Sequence, residues 1–171
     1  TFGCRLNIYE SEIIKQNLAA SNMDNVVVFN TCAVTKEAEK QARQAIRKLK
    51  KTDPTKKIIV TGCAAQNTPE MFATMPEVDK VLGNEEKLSP QYYNFDSERI
   101  LVNDIMSIKE TANHLVTSFE GRARAFLQVQ NGCNHRCTFC MIPYGRGNSR
   151  SVPIGAITQQ VKALIDQGFK E

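Results

Sequence analysis

Apolar residues recur along this chain with two periods, and the changes of period mark its elements. Val26, Val27, Val28 and Phe29, and later Ile58, Ile59 and Val60, form short unbroken runs rich in β-branched residues. Such runs suit parallel strands covered on both faces. Between them, Ala38, Ala42, Ala45, Ile46 and Leu49 fall at helical spacing, and Pro54 lies just beyond. An earlier helix is expected over residues 8–20, with Asn7 as its N-cap and Glu10 three residues later. A further helix should follow Cys63, with a shorter one over residues 85–88. Strand and helix in alternation predict an α/β fold built on a doubly wound parallel sheet.

Residues 107–121 are polar and aperiodic, and the domain boundary is placed there, giving domains over 1–118 and 119–171. The first is expected to be Rossmann- or flavodoxin-like. In the second, Ala123, Ala125, Leu127 and Val129 alternate with Arg124, Phe126, Gln128 and Gln130, the period of a strand. Asn131 and Gly132 break it, and an extended loop is expected to about Ser151. Ile154, Ile157, Val161, Leu164 and Ile165 then predict an amphipathic helix, with Pro153 near its start and Gly168 at its end. Strand, loop and helix make one β/α unit. A lone unit cannot close a core, so others are expected to follow. The absence of an initiator Met and the stop at Glu171 just after a helix read as part of a longer protein.

Composition narrows the class. Hydrophobic residues make up 42% and charged residues 23% of 171, which excludes disordered and collagen-like chains. No apolar run approaches the roughly 20 residues of a membrane helix, and no targeting segment is visible. The net charge is +4, but nine of the 22 Lys and Arg residues lie between Lys36 and Lys57. Such clustering can be an electrostatic footprint for nucleic acid.

Cysteine placement says most about chemistry. Cys4, Cys32 and Cys63 stand 28 and 31 residues apart, and the last two lie just past predicted strands and before helices. In a parallel sheet all strand carboxyl ends open on one edge, so these three are expected to converge there. The bland alternative is three buried cysteines acting as small hydrophobes. Cys133, Cys137 and Cys140 crowd into eight residues, a spacing better suited to a metal or cluster than to a disulfide. A 4Fe–4S cluster commonly takes four thiolates, so three would leave one iron open. Zinc with His135 as a fourth ligand is the rival, although zinc sites normally draw on two separated knuckles. Free thiols and the missing export signal point to a reducing compartment, the cytoplasm.

Cys133 to Cys140, with Phe139 before the last cysteine, resembles the CxxxCxxC signature of radical S-adenosylmethionine enzymes. Phe2-Gly3-Cys4-Arg5-Leu6-Asn7, Asn30-Thr31-Cys32, Gly62-Cys63-Ala64-Ala65-Gln66 and Ile142-Pro143-Tyr144-Gly145-Arg146-Gly147 are similar to the methylthiotransferase family within that superfamily. The resemblance covers essentially the whole chain. It implies two 4Fe–4S clusters and S-adenosylmethionine. Cys133, Cys137 and Cys140 would hold the cluster that cleaves S-adenosylmethionine, with Phe139 near its adenine, at the start of a partial β/α barrel. Cys4, Cys32 and Cys63 would hold an auxiliary cluster that delivers sulfur. An external electron donor, an external sulfur source and a monomeric state, without a membrane, are also expected.

Three branches of the family differ in substrate: isopentenyladenosine in tRNA, an aspartate of a ribosomal protein, and N6-threonylcarbamoyladenosine at position 37 of tRNA. Thr31-Cys32-Ala33-Val34-Thr35 and the basic segment after it, with Arg146-Gly147-Asn148-Ser149-Arg150-Ser151, most resemble the third. A non-enzymatic metal-binding module is the alternative of another class. Lys36, Lys40, Arg43, Arg47 and Lys51 line one helix face opposite the apolar stripe. On tRNA they would contact phosphates, which position a substrate without reading it. Otherwise they are a solvated face, softened by Glu37 and Glu39. His114, in the expected linker, has no assigned role.

Overall fold

The computed structural model describes residues 1–21, 23–110, 114–119 and 121–171. Part of the polar stretch expected to link the domains, residues 111–113 and 120, lies outside the described residues, as does residue 22. The chain runs through α1 (Arg5–Ala20), β1 (Val26–Thr31), α2 (Lys36–Thr52), β2 (Lys57–Gly62), α3 (Cys63–Asn67), α4 (Pro69–Ala73), β3 (Lys80–Leu82) and β4 (Ile100–Leu101). Then come β5 (Gln130–Asn131), α5 (Ile142–Arg146), β6 (Arg150–Ser151) and α6 (Ile154–Asp166).

β1 to β4 form one parallel sheet in chain order, and β1 pairs with β2 in the register Val26↔Lys57 to Thr31↔Gly62. Successive side chains point to opposite faces, and both faces are buried. Ile58, Val60 and Val81 pack with Ile46, Ala64, Phe72 and Val78. Ile59 and Leu82 pack with Ile14 and Tyr93. This is the mixed α/β architecture that the uninterrupted β-branched runs predict. α2 is capped by Thr35, whose hydroxyl accepts from the Ala38 N–H at 3.2 Å.

Three expectations about elements are corrected. α1 starts at Arg5 with Cys4 as its N-cap, one turn earlier than expected; Asn7 lies inside the helix because its amide is used in tertiary hydrogen bonds. The alternating run from Ala123 to Val129 is not a regular strand. Only Gln130–Asn131 enters a ladder, with the antiparallel β6; Ala125 and Val129 make single backbone bonds, to Glu171 and Val152, and isolated bonds do not make a strand. The expected loop to Ser151 contains α5, which has Pro143 in its first turn and ends at Gly147 with φ +77°.

α6 occupies the expected span but buries less of its apolar stripe. Leu164 is buried, whereas Ile154, Val161 and Ile165 are exposed. Leu164 joins Tyr9, Ile13, Leu88, Val116 and Phe119 in a cluster that ties α1 to the second segment. Buried Gln160 accepts from the Val116 N–H at 2.8 Å and donates to the Val116 carbonyl. No helix among the described residues is long and apolar enough to cross a membrane.

Candidate functional site

Cys32 and Cys63 leave neighbouring strands at the same level, because Thr31 and Gly62 are partners in the sheet register. Phe2 donates its N–H to the Asn30 carbonyl at 2.8 Å, which lays the segment before Cys4 beside the end of β1. Two glycines make this crowding possible. Gly3 has φ +102°, and a Cβ there would lie 2.6 Å from Cβ and 2.9 Å from Sγ of Cys32. Gly62 has φ +97°, and a Cβ there would run into the backbone of Thr31.

Polar pins hold the edge together. Asn7 donates to the Phe2 carbonyl at 2.7 Å and the Thr31 carbonyl at 3.0 Å. Asn30 donates to the Asn7 carbonyl at 3.0 Å. Thr31 donates its hydroxyl to the Thr61 carbonyl at 2.6 Å, and Thr61 to the Gly83 carbonyl at 3.1 Å.

The chemistry that the sequence reading missed is a buried ionic network at this edge. Glu10 accepts from Lys87 at 2.7 Å and takes a two-pronged contact from Arg146, one arm to Oε1 and one to Oε2 at 3.0 Å. Arg146 also donates to Oδ1 of Asn7, and its Nε donates to Sγ of Cys63 at 3.1 Å. Asn84 accepts from Lys87 at 2.6 Å and directs its amide to Sγ of Cys63 at 3.6 Å and to the Gly145 carbonyl. Burial alone would raise the Glu10 carboxyl, but the charges of Arg146 and Lys87 outweigh it and hold it below the ordinary carboxylate range. Burial lowers the Lys87 ammonium against the pull of Glu10. For Arg146, burial is outweighed by Glu10 and Cys63, and its guanidinium stays charged. One signal was legible. Glu10 lies three and four residues before Ile13 and Ile14 on the buried side of α1, where a carboxylate needs a partner.

All six cysteines are free thiols: Cys32 is buried, Cys63, Cys133 and Cys140 are half-buried, and Cys4 and Cys137 are exposed. The first three are brought to one edge, with the Cys4 sulfur 4.0 Å from Oδ1 of Asn7. Among the described residues, however, no three His, Cys, Asp or Glu side chains are gathered into a group that could hold a metal ion. Three soft sulfur donors nonetheless suit a thiolate-ligated cluster in kind, and one of them, Cys63, faces a cation and an amide N–H rather than a carboxylate.

The second cysteine loop is held by bonds within it and to Gly147 and Asn148. The Cys133 N–H donates to the Gly147 carbonyl at 3.1 Å, and the Cys140 N–H to the Cys137 carbonyl at 3.0 Å. Arg136 donates to the Cys133 carbonyl at 2.9 Å and to Asn148 at 2.6 Å. Phe139 is 89% exposed, and His135 is also exposed. On α2, Lys36, Lys40, Arg47 and Lys51 are exposed and Arg43 is half-buried, opposite buried Ala42 and Ile46. A cleft of about 150 Å³ lined by Tyr9, His114, Leu127, Ile157 and Gln160 holds none of the cysteines.

Residues 1–83 match the Uncharacterized protein family UPF0004, and residues 127–171 match the Radical SAM superfamily. The chain is 69% identical over 171 residues to the threonylcarbamoyladenosine tRNA methylthiotransferase MtaB of Rickettsia prowazekii (strain Madrid E), all of it aligning with 41% of that protein. It is 40% identical to the protein of the same name from Aquifex aeolicus (strain VF5), covering 45% of it. It is 33% identical to the tRNA-2-methylthio-N(6)-dimethylallyladenosine synthase of Thermodesulfovibrio yellowstonii (strain ATCC 51303 / DSM 11347 / YP87), covering 42% of it. In each case 100% of this chain is aligned, so it spans less than half the length of these relatives. The superfamily match implies S-adenosylmethionine and one 4Fe–4S cluster. With one segment matched to each family model and relatives aligned over its whole length, the chain is similar to radical S-adenosylmethionine methylthiotransferases.

Proposed function

We propose that this chain forms the N-terminal part of an enzyme that adds a methylthio group to C2 of N6-threonylcarbamoyladenosine at position 37 of tRNA. The observation that carries the reading is the placement of Cys4, Cys32 and Cys63 along one sheet edge, where Arg146 ties Cys63 and Asn7 to the segment after Cys140. The relatives' printed names support this substrate over the isopentenyladenosine and ribosomal-protein alternatives.

The domains are 1–118 and 119–171. Cys133, Cys137 and Cys140 would hold the cluster that binds S-adenosylmethionine, and Cys4, Cys32 and Cys63 an auxiliary one. When bound, these groups supply the radical that activates the adenosine and the sulfur that it receives. The chain's own residues do the holding. Arg136, Asn134 and Asn148 shape the loop carrying Cys133 to Cys140. Phe139, on that loop, offers an exposed ring to the adenine. Lys36, Lys40, Arg43 and Arg47 are the proposed phosphate contacts. Anticodon-loop bases are single-stranded, so one can be splayed out toward a site between the two cysteine groups. An external electron donor and sulfur source are required, a monomer suffices, and six free thiols suit the reducing cytoplasm.

The test is mass spectrometry of tRNA nucleosides from a strain lacking the full-length gene, with and without its restoration. The 2-methylthio form of N6-threonylcarbamoyladenosine should vanish and return. Loss of the isopentenyladenosine derivative instead would move the enzyme to the sibling branch.

A further inference from the structure

The buried network holds more positive than negative charge. Glu10, Lys87 and Arg146 are 1%, 0% and 4% exposed, and one carboxylate faces two cations. Glu86, also buried, directs Oε1 to Asn103 instead. A buried cation in excess is strongly destabilising unless an anion answers it. Glu10 and Asn7 take the two terminal nitrogens of Arg146, and the third nitrogen, Nε, donates to Sγ of Cys63 at 3.1 Å. Asn84 directs a second, neutral donor to the same sulfur at 3.6 Å. Gly145, next to Arg146, makes this approach possible, since a Cβ there would stand 3.1 Å from Cβ of Cys63.

We propose that Arg146 is a positioning residue for the auxiliary cluster, holding the Cys63 thiolate by a charge-assisted N–H···S bond and raising the reduction potential of the group bound there. The inference rests on the reading of Cys4, Cys32 and Cys63 as its ligands. Hydrogen bonds to the sulfur ligands and the net charge around a cluster are among the factors that set its potential. Arg146 lies at the end of α5, on the segment that follows the other cysteine loop. It therefore also links the placement of the two cysteine groups.

The experiment uses the full-length enzyme with Cys133, Cys137 and Cys140 changed to Ala, reconstituted anaerobically with iron and sulfide so that only the auxiliary cluster can form. Its midpoint potential is followed by electron paramagnetic resonance in the parent, Arg146→Lys, Arg146→Met and Asn84→Ala, with iron per chain and circular dichroism beside it. The potential should become more negative in the order parent, Arg146→Lys, Arg146→Met, with a smaller shift in Asn84→Ala. Lower iron in Arg146→Met, restored by Arg146→Lys in a folded protein, also supports the role. Equal potentials at full iron would overturn the assignment while leaving the cysteine ligands standing. Loss of helical signal together with iron in both Arg146 variants and Asn84→Ala would make these residues folding elements and overturn it too. A parent without iron would instead sink the reading of the three cysteines, and this inference with it.

Discussion

Gly62 and Glu10 show how much of this edge depends on single side chains. Gly62 turns β2 into α3 at a positive φ, directly before Cys63, and the Thr31 backbone blocks a Cβ. Gly62→Ala should therefore cost at least about 1–3 kcal/mol for the forced backbone alone, read as a lower urea midpoint of the full-length protein. An unchanged midpoint would show that the turn relaxes freely. Glu10 is an acid held below its ordinary range, so its stabilisation is complete above an unfolded value near ~4.3. That stabilisation is lost as pH falls through the lower folded value. Glu10→Gln should destabilise by about 3–5 kcal/mol at neutral pH, since it takes from Lys87 and Arg146 the carboxylate that both of them face. The gap to the unaltered protein should narrow on acidification below about pH 4. A gap constant from pH 7 to pH 3 would contradict the charge assignment.

At the scale of the element, α2 is where local pattern and structure agree best. Its buried Ala42 and Ile46 follow from spacing alone, and its charges fall on the opposite side, while the cap at Thr35 is seen only in the structure. If Lys36, Lys40 and Arg47 meet phosphates, reversing all three to Glu in the full-length enzyme should weaken tRNA binding. It should also flatten the plot of log affinity against log salt by roughly one unit per lost contact. An unchanged slope would leave the stripe a solvated face. α1 was misjudged at its start for a tertiary reason. Asn7 has the chemistry of a cap, but its amide serves the carbonyls of Phe2 and Thr31 instead. Residues 123–129 were misjudged because alternation can prepare a strand, but isolated backbone bonds, such as those of Ala125 and Val129, do not make a ladder.

Among the described residues, one apolar cluster lies on each face of the sheet and a third joins α1 to α6. Arg146 adds an ionic tie across the same junction. The two cysteine groups nevertheless rest on different scaffolds, a sheet edge and a single loop. In the full-length enzyme, changing Cys4, Cys32 and Cys63 to Ala should retain about half the iron, because each proposed cluster takes three thiolates. S-adenosylmethionine cleavage should continue, without methylthio transfer to tRNA. Changing Cys133, Cys137 and Cys140 should abolish cleavage and leave iron on the N-terminal domain. Iron per chain, 5′-deoxyadenosine yield and modified nucleoside are the measurements. An N-terminal triple variant with full iron and normal tRNA modification would remove the sulfur-delivery role of those cysteines.

Taken alone, the sequence determined what short-range physics determines: the β-branched strands, the period of α2 and α6, and the close spacing of Cys133, Cys137 and Cys140. It also pointed to the edge where Cys32 and Cys63 emerge, because a strand's carboxyl end is a local property. Tertiary structure decided which residues meet there. Glu10 and Arg146 are 136 positions apart and become partners only when α1 and α5 pack at that edge. Gly62 and Thr31 lie level only through the register of β1 and β2. Whether a charged side chain is solvated or buried and paired depends on what the rest of the chain brings against it, and no local pattern carries that information.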